Sequence, residues 1–254
     1  IRGFAANSLL IMMDGIRINN AIYRSGNLQN VIMLDPNMLS SSEIIFGPGS
    51  SVYGSDALGG VMDFHTLKPS FDEKNKWQGT LMTRYASANS EKTGHLDVTF
   101  QTKRINNILG FTYSDFGDLR TGSSRTGKFP DFGKRLDYAT QVNGVDQMVE
   151  NDNVNVQRQT GYHQYNLMNK LSLRLSDESQ ITHTLFYTTS GDVPRYDRLT
   201  QRSDNDTLKY AKWYYGPQQF LLNALTFSNF SIAEKKYYYM LKLYLLSFGR
   251  WKGV

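Results

Sequence analysis

The chain has 254 residues, room for one large domain or two small ones, and its formal charge of +5 comes from 28 basic and 23 acidic side chains. That excess is too mild and too scattered for a nucleic-acid footprint, and with no cysteine there is no disulfide, thiolate nucleophile or cysteine-ligated zinc. No run reaches the ~20 apolar residues of a spanning helix, but aromatic residues make up 13%, and membrane strands leave only a weak alternating signal, so a membrane barrel stays open.

The first predicted element is the apolar run Leu9–Met13, which ends at a tight turn on Asp14 and Gly15 and resumes through Ile16 and Arg17. A polar segment, Asn19 to Asn30, leads to Leu34-Asp35-Pro36. A second apolar run, ending Glu43-Ile44-Ile45-Phe46, stops at Gly47-Pro48-Gly49, which few continuing strands or helices tolerate. One helical turn over Ser50 to Tyr53, a turn with Gly54, Gly59 and Gly60, and a strand through Phe64 complete a compact module. Packing this close calls for residues without a Cβ.

From Lys76 the pattern becomes long alternating runs. Seven strands are predicted, at about 76–87, 93–103, 107–117, 159–175, 179–190, 218–230 and 235–248. In the fourth, Tyr165, Leu167, Leu171 and Leu173 share one face, and Asn166, Met168, Lys170, Ser172 and Arg174 the other. Short connections fall at 104–107, 176–178 and 231–234, and longer ones at 88–92, 118–158 and 191–217. Long loops on every second connection are the asymmetry of a membrane barrel. Lys170 and Arg174 would be costly in a dry core, and a wet lumen would remove that cost.

The order RGF (Arg2, Gly3), strand-DG-x-R (Asp14, Gly15, Arg17), LDP and strand-GPxSxxYGSxALGGV (Glu43, Gly47, Gly49, Tyr53, Gly54, Gly59, Gly60) resembles the plug domain of TonB-dependent outer-membrane receptors. The variant NNAIYRSGNLQNVIMLDP with VMDFHTLKP is most similar to their haem, haemoglobin and transferrin branch. The resemblance covers residues 1 to about 69; residues 76–254 are then the N-terminal portion of the barrel. A plug this size does not fit inside an eight-stranded barrel, and plugged transporters have about 22 strands. The expected fold class is an α+β plug remnant followed by antiparallel transmembrane strands, an incomplete plugged barrel. With Ile1 in mid-motif and seven strands an odd number, sequence is expected on both sides of the chain.

The resemblance implies an importer in the bacterial outer membrane, not an enzyme. Its partners would be TonB with ExbB and ExbD, contacted through a segment ahead of Ile1, together with outer-membrane lipid. No cofactor is implied; haem, free or from a host haemoprotein, would be cargo. A plugged-barrel surface receptor or adhesin, or a receptor for a siderophore, is the alternative. By resemblance, Asn20, Tyr23, Arg24, Asn27 and Gln29 at the plug apex are candidate substrate contacts. Arg2 would lock plug to wall through carboxylates, while Phe46 replaces a second family arginine. Asp14 and Glu43 would satisfy turn and interface donors.

Among the residues themselves, the 191–217 loop carries Arg195, Tyr196 and Arg198 with Trp213 to Tyr215. Tyr, Trp and Arg dominate interface energetics, so docking of a protein or flat porphyrin and a membrane-boundary girdle are both open. Of the four histidines, His65, His95, His163 and His183, none has metal-site spacing, and His163 is the best placed as a haem ligand. Gly122–Phe129 mimics a P-loop but ends in Phe129, no G-x-S-x-G elbow exists, and a hydrolase triad using His183 is a remote option.

Overall fold

The structure is a computed structural model that describes residues 8–18, 31–47, 49–54, 57–229 and 239–248. Four strands form the plug sheet: β1 (Leu9–Met13), β2 (Ile16–Arg17), β3 (Leu39–Phe46) and β4 (Gly60–Thr66), in the order β2-β1-β4-β3. β1 runs parallel to β4, and β3 antiparallel to it. Between β3 and β4 sits the single turn α1 (Ser50–Tyr53), as predicted. Gly49 earns its place sterically: a Cβ there would lie 3.1 Å from Val61 and 3.3 Å from Tyr53.

The wall follows as β5 (Lys76–Ala86), β6 (Glu91–Gln101) and β7 (Ile105–Phe116). An outer excursion then holds β8 (Leu119–Arg120), β9 (Asp137–Val142), β10 (Val145–Glu150) and β11 (Val156–Gln157). The wall resumes with β12 (Tyr162–Arg174) and β13 (Ser179–Ser190). A second excursion carries β14 (Val193–Pro194), α2 (Tyr196–Leu199) and β15 (Tyr214–Tyr215), and β16 (Gln219–Asn229) and β17 (Tyr239–Phe248) close the order. The seven long strands make one antiparallel meander, β17-β16-β13-β12-β7-β6-β5. Each is long enough for a tilted membrane crossing of about 9–11 residues. Among the described residues the outer edges of β5 and β17 have no partner strand, so the sheet is open.

Two loop expectations need correction. The connection expected to be long at 88–92 is a four-residue turn, 87–90. The 118–158 stretch is not one structureless loop: β9 and β10 form a hairpin whose turn residues, Asn143 and Gly144, have φ of 53° and 79°. Asn-Gly between apolar residues is a strong hairpin signal, so this element was legible.

The wall is apolar outside and polar inside. Leu81, Leu96, Leu109, Phe111, Leu225 and Leu243 are exposed, whereas Asn166, Lys170, Ser172, Thr112, Thr184 and Thr188 are buried. The alternation sets this, because side chains two apart share a face. A soluble sandwich would bury the other face; this outer one suits lipid. Against the inner face lies the plug, in one cluster joining Ile11, Met13, Ile18, Met38 and Phe64 to Ile108, Met168, Phe186, Phe220 and Leu222. At its centre Gly110, paired with Met168, leaves room for Met38, whose Cε would lie 3.4 Å from any added Cβ.

Candidate functional site

Two places gather polar side chains: the joint between plug and wall, and the seam between the two outer excursions. The joint centres on Lys170 of β12, 5% exposed, whose Nζ lies 3.2 Å from Asp14 Oδ2 and donates to Thr66 Oγ1. Asp14 also accepts from the Thr66 amide (2.9 Å) and hydroxyl (2.6 Å). Burial alone would raise the Asp14 pKa; the Lys170 ammonium and the Thr66 hydrogen bonds outweigh it and hold the carboxyl below its usual range. Lys170 is therefore buried against the plug at the edge of the lumen, and pairing with Asp14 compensates its charge. Arg174 sits differently, its guanidinium over the Phe71 ring at 4.2 Å.

A second bridge uses the LDP motif. One Asp35 oxygen caps the 3-10 turn Pro36–Met38 by accepting from the Asn37 amide at 3.0 Å, and the other accepts from the Thr112 hydroxyl of β7. Since that hydroxyl has given its hydrogen, its oxygen accepts from His95 Nδ1 at 2.7 Å. His95 Nε2 lies 3.2 Å from Asp97. Thr188 of β13 donates to the Met33 carbonyl at 2.8 Å. Beside the joint, a cavity of about 380 Å³ is lined by Asp14, His65, Lys68, Lys170, Thr184 and Thr226.

The other plug residues serve the module itself. Arg17 donates to the Tyr53 carbonyl (3.3 Å) at the end of α1, next to Gly54, whose φ is +92°. Gly15 and Gly47 have positive φ, and the Gly59 amide donates to the Ser8 carbonyl at 2.8 Å while Gly60 pairs with Leu9 and Phe46. Glu43 is exposed and faces His65 at 3.6 Å within the plug. Arg2, Gly3, Asn20, Tyr23, Arg24, Asn27 and Gln29 lie outside the described residues.

In the seam, Arg202 grips Asp137 with hydrogen bonds of 2.7 and 2.8 Å, Tyr196 donates to Gln157, and Gln159 reaches the carbonyls of Ala139 (2.8 Å) and Ala211 (3.3 Å). The two excursions are thus one clasped body. Arg195 is committed to a bidentate pair with Asp197 and to the Tyr215 hydroxyl; the Arg195 hydrogen bond holds the Asp197 carboxyl below its usual range. Arg198 lies over the Trp213 ring at 5.8 Å and Tyr196 under the Arg135 guanidinium at 5.3 Å. Tyr210 and Trp213 meet edge-on at 4.5 Å. Trp213, Tyr214 and Tyr215 are half-buried within the seam.

His163 is exposed on the outward face of β12, against Tyr165 at 5.8 Å. His183 pairs with Asn223 at 3.0 Å, with no serine in that hydrogen bond. Among the described residues no group of three or more metal-ligating side chains converges. Arg135 and Gln159, in the seam, and Asp35 and His95, in the joint, were not singled out as site residues. Only the LDP motif signalled one of them.

Comparison with known proteins agrees with this geometry. The TonB-dependent Receptor Plug Domain family matches residues 1–61. The vitamin B12 transporter BtuB of Vibrio vulnificus (strain CMCP6) is 33% identical over 99 residues, 39% of this chain and 15% of that protein. The hemin receptor of Yersinia pestis is 31% identical over 128 residues, 47% of this chain and 18% of that protein. The FrpB iron transporter from Neisseria meningitidis shares the fold, with a TM-score of 0.70 over 97% of this chain and 34% of that one at 16% identity. The chain thus spans 15 to 18% of the length of these curated relatives. With a plug module seated on the inner face of an inside-out, open antiparallel wall, the chain carries the plug domain of the TonB-dependent receptors and shares the fold of their plugged barrels.

Proposed function

We propose that this chain is the plug-and-first-wall portion of an outer-membrane receptor that imports an iron source, haem or haem taken from haemoproteins, with energy delivered by TonB, ExbB and ExbD. The observation that carries the importer reading is the plug–wall joint. Among the described residues the plug meets the wall through discrete polar contacts, Lys170 to Asp14 and Thr66, Thr112 to Asp35 and Thr188 to Met33, around one apolar patch. Such a joint can break and re-form as a unit, as a pulled plug requires. Substrate would meet the clasped outer excursions first, then the cavity beside Lys170. None of this needs a catalytic group.

The haem assignment rests on the 31% identity to the hemin receptor. A different cargo, such as a siderophore, is the second reading, favoured by the identity to a vitamin B12 transporter and the shared fold with an iron transporter. Spectral titration of the full-length receptor with haemin decides between them. A saturable Soret shift, with growth on haem that needs TonB, is expected. Absence of both leaves the siderophore reading; binding without TonB-dependent growth indicates a surface receptor or adhesin.

A further inference from the structure

Buried polar atoms nearly always have partners, and each exception calls for an explanation, an ordered water or a ligand among them. Among the described residues four buried side-chain atoms have none: Asn106 Oδ1, Arg135 Nη2, Gln159 Oε1 and Arg198 Nε. Three of these four fall in the outer seam. Arg135 is the most demanding. It is 5% exposed, its Nε reaches only the Asp137 carbonyl (3.3 Å), its Nη1 only the Arg158 carbonyl, and no carboxylate hydrogen-bonds to it: that of Asp137 is taken by Arg202, and Asp118 and Asp137 act on it only through space. A buried guanidinium with a bare N–H is costly even with carboxylates nearby.

The surroundings are shaped for a ligand. Arg135 lines a pocket of about 220 Å³ together with Lys134, Leu136, Tyr196, Thr200 and Arg202. Across α2 lies a second, apolar pocket of about 300 Å³, walled by Pro194, Leu199, Ala211, Trp213 and Tyr214 and edged by Gln159. Arg198 Nε is 3.9 Å from the Asp197 carboxylate, too far for a hydrogen bond. Cationic donors on one side of a short helix and aromatic walls on the other suit an amphipathic ligand with an acidic group. One free nitrogen on Arg135 and the adjacent Asp137 favour a single-charged planar acceptor over a dianion such as phosphate.

We propose that the seam between the two outer excursions is a binding site for a carboxylate-bearing ligand, anchored by Arg135 and lined by Tyr196, Thr200 and Arg202, with Gln159 at the edge of the neighbouring apolar pocket. It rests on the importer reading for where the ligand goes next, but not for whether it binds. The carboxylate could belong to a porphyrin side chain or to a polycarboxylate iron chelate, and the test separates them.

Full-length receptor is titrated with haemin, with haemin dimethyl ester, whose carboxylates are blocked, and with ferric citrate. Native protein and Arg135→Gln are compared, with thermal melting to confirm folding. A porphyrin carboxylate predicts that Arg135→Gln weakens haemin binding ~10- to 100-fold, while the ester binds weakly and equally to both proteins. If haemin does not bind native receptor, the haem reading fails, and an Arg135-dependent ferric citrate signal still upholds the site. Equal affinity of native and Arg135→Gln protein for every ligand they bind, or no binding of either acid by native receptor, overturns it. Should Arg135→Gln not fold, Thr200→Trp, which fills the pocket from its exposed rim without touching the buried charge, replaces it. Loss of acid binding in that variant supports the site, and unchanged binding overturns it.

Discussion

The plug–wall joint and the outer seam both bury arginine or lysine, yet they treat the charge in opposite ways. At the joint Lys170 meets Asp14 and Thr66, Asp35 spends both oxygens, and Gly110 is shaved to admit Met38. At the seam Arg135 stacks on Tyr196 and hydrogen-bonds to backbone carbonyls only, and among the described residues three polar atoms are orphaned. A joint that satisfies itself is stable without ligand and has to be broken by work; a seam whose buried guanidinium keeps a bare N–H offers it to an acceptor that binds there. The fold thus separates holding from receiving.

Four changes would break or sharpen this contrast. Lys170→Met should have the largest effect, because it strands a carboxylate at the joint: about 3 kcal/mol, reduced because Asp14 keeps 25% of its side-chain exposure. Hydrogen exchange of β1 and β4 amides in the full-length receptor would report it, and adding Asp14→Asn should restore part of the protection. Unchanged exchange would mean the joint does not hold the plug. Gly110→Val should cost about 1–3 kcal/mol by displacing Met38, read as a lower melting temperature of the plug. The same substitution at the exposed Gly127, where an added Cβ meets nothing within 4 Å, should not.

Acid should act on the joint more gently. The Asp14 carboxyl is held below its usual range in the folded receptor, so its contribution is complete above the unfolded value near 3.8 and fades as pH falls through the folded one. Plug protection should therefore be flat near neutrality and drop only in strong acid, and Asp14→Asn should flatten that drop. The smallest effect is expected from Arg195→Lys, at most about 1 kcal/mol of excursion stability with carboxylate binding unaltered, because Arg195 braces Asp197 in a partly exposed pair. A loss of ligand binding there would move the binding role from Arg135 to Arg195.

Much of this was legible in the residues. All seven wall strands lie within a few residues of their predicted bounds, since period-two alternation ended by turn residues is a local property. The plug module was equally readable, because GPGSSVYG admits few backbone paths other than strand, single turn and strand. The hairpin at Asn143-Gly144 was present in the same code and overlooked.

Partner choice was not legible. That Lys170 would be buried and bonded to a residue 156 positions away, that Arg195 would be spent on Asp197, and that His163 would face outward all depend on which surfaces meet. Local sequence determined which segments are strands, where they turn and which face is apolar, because those follow from neighbours along the chain. Only the tertiary structure decided which charges are compensated and which are left waiting, because compensation is a matter of distance in space, and the chain alone does not set it.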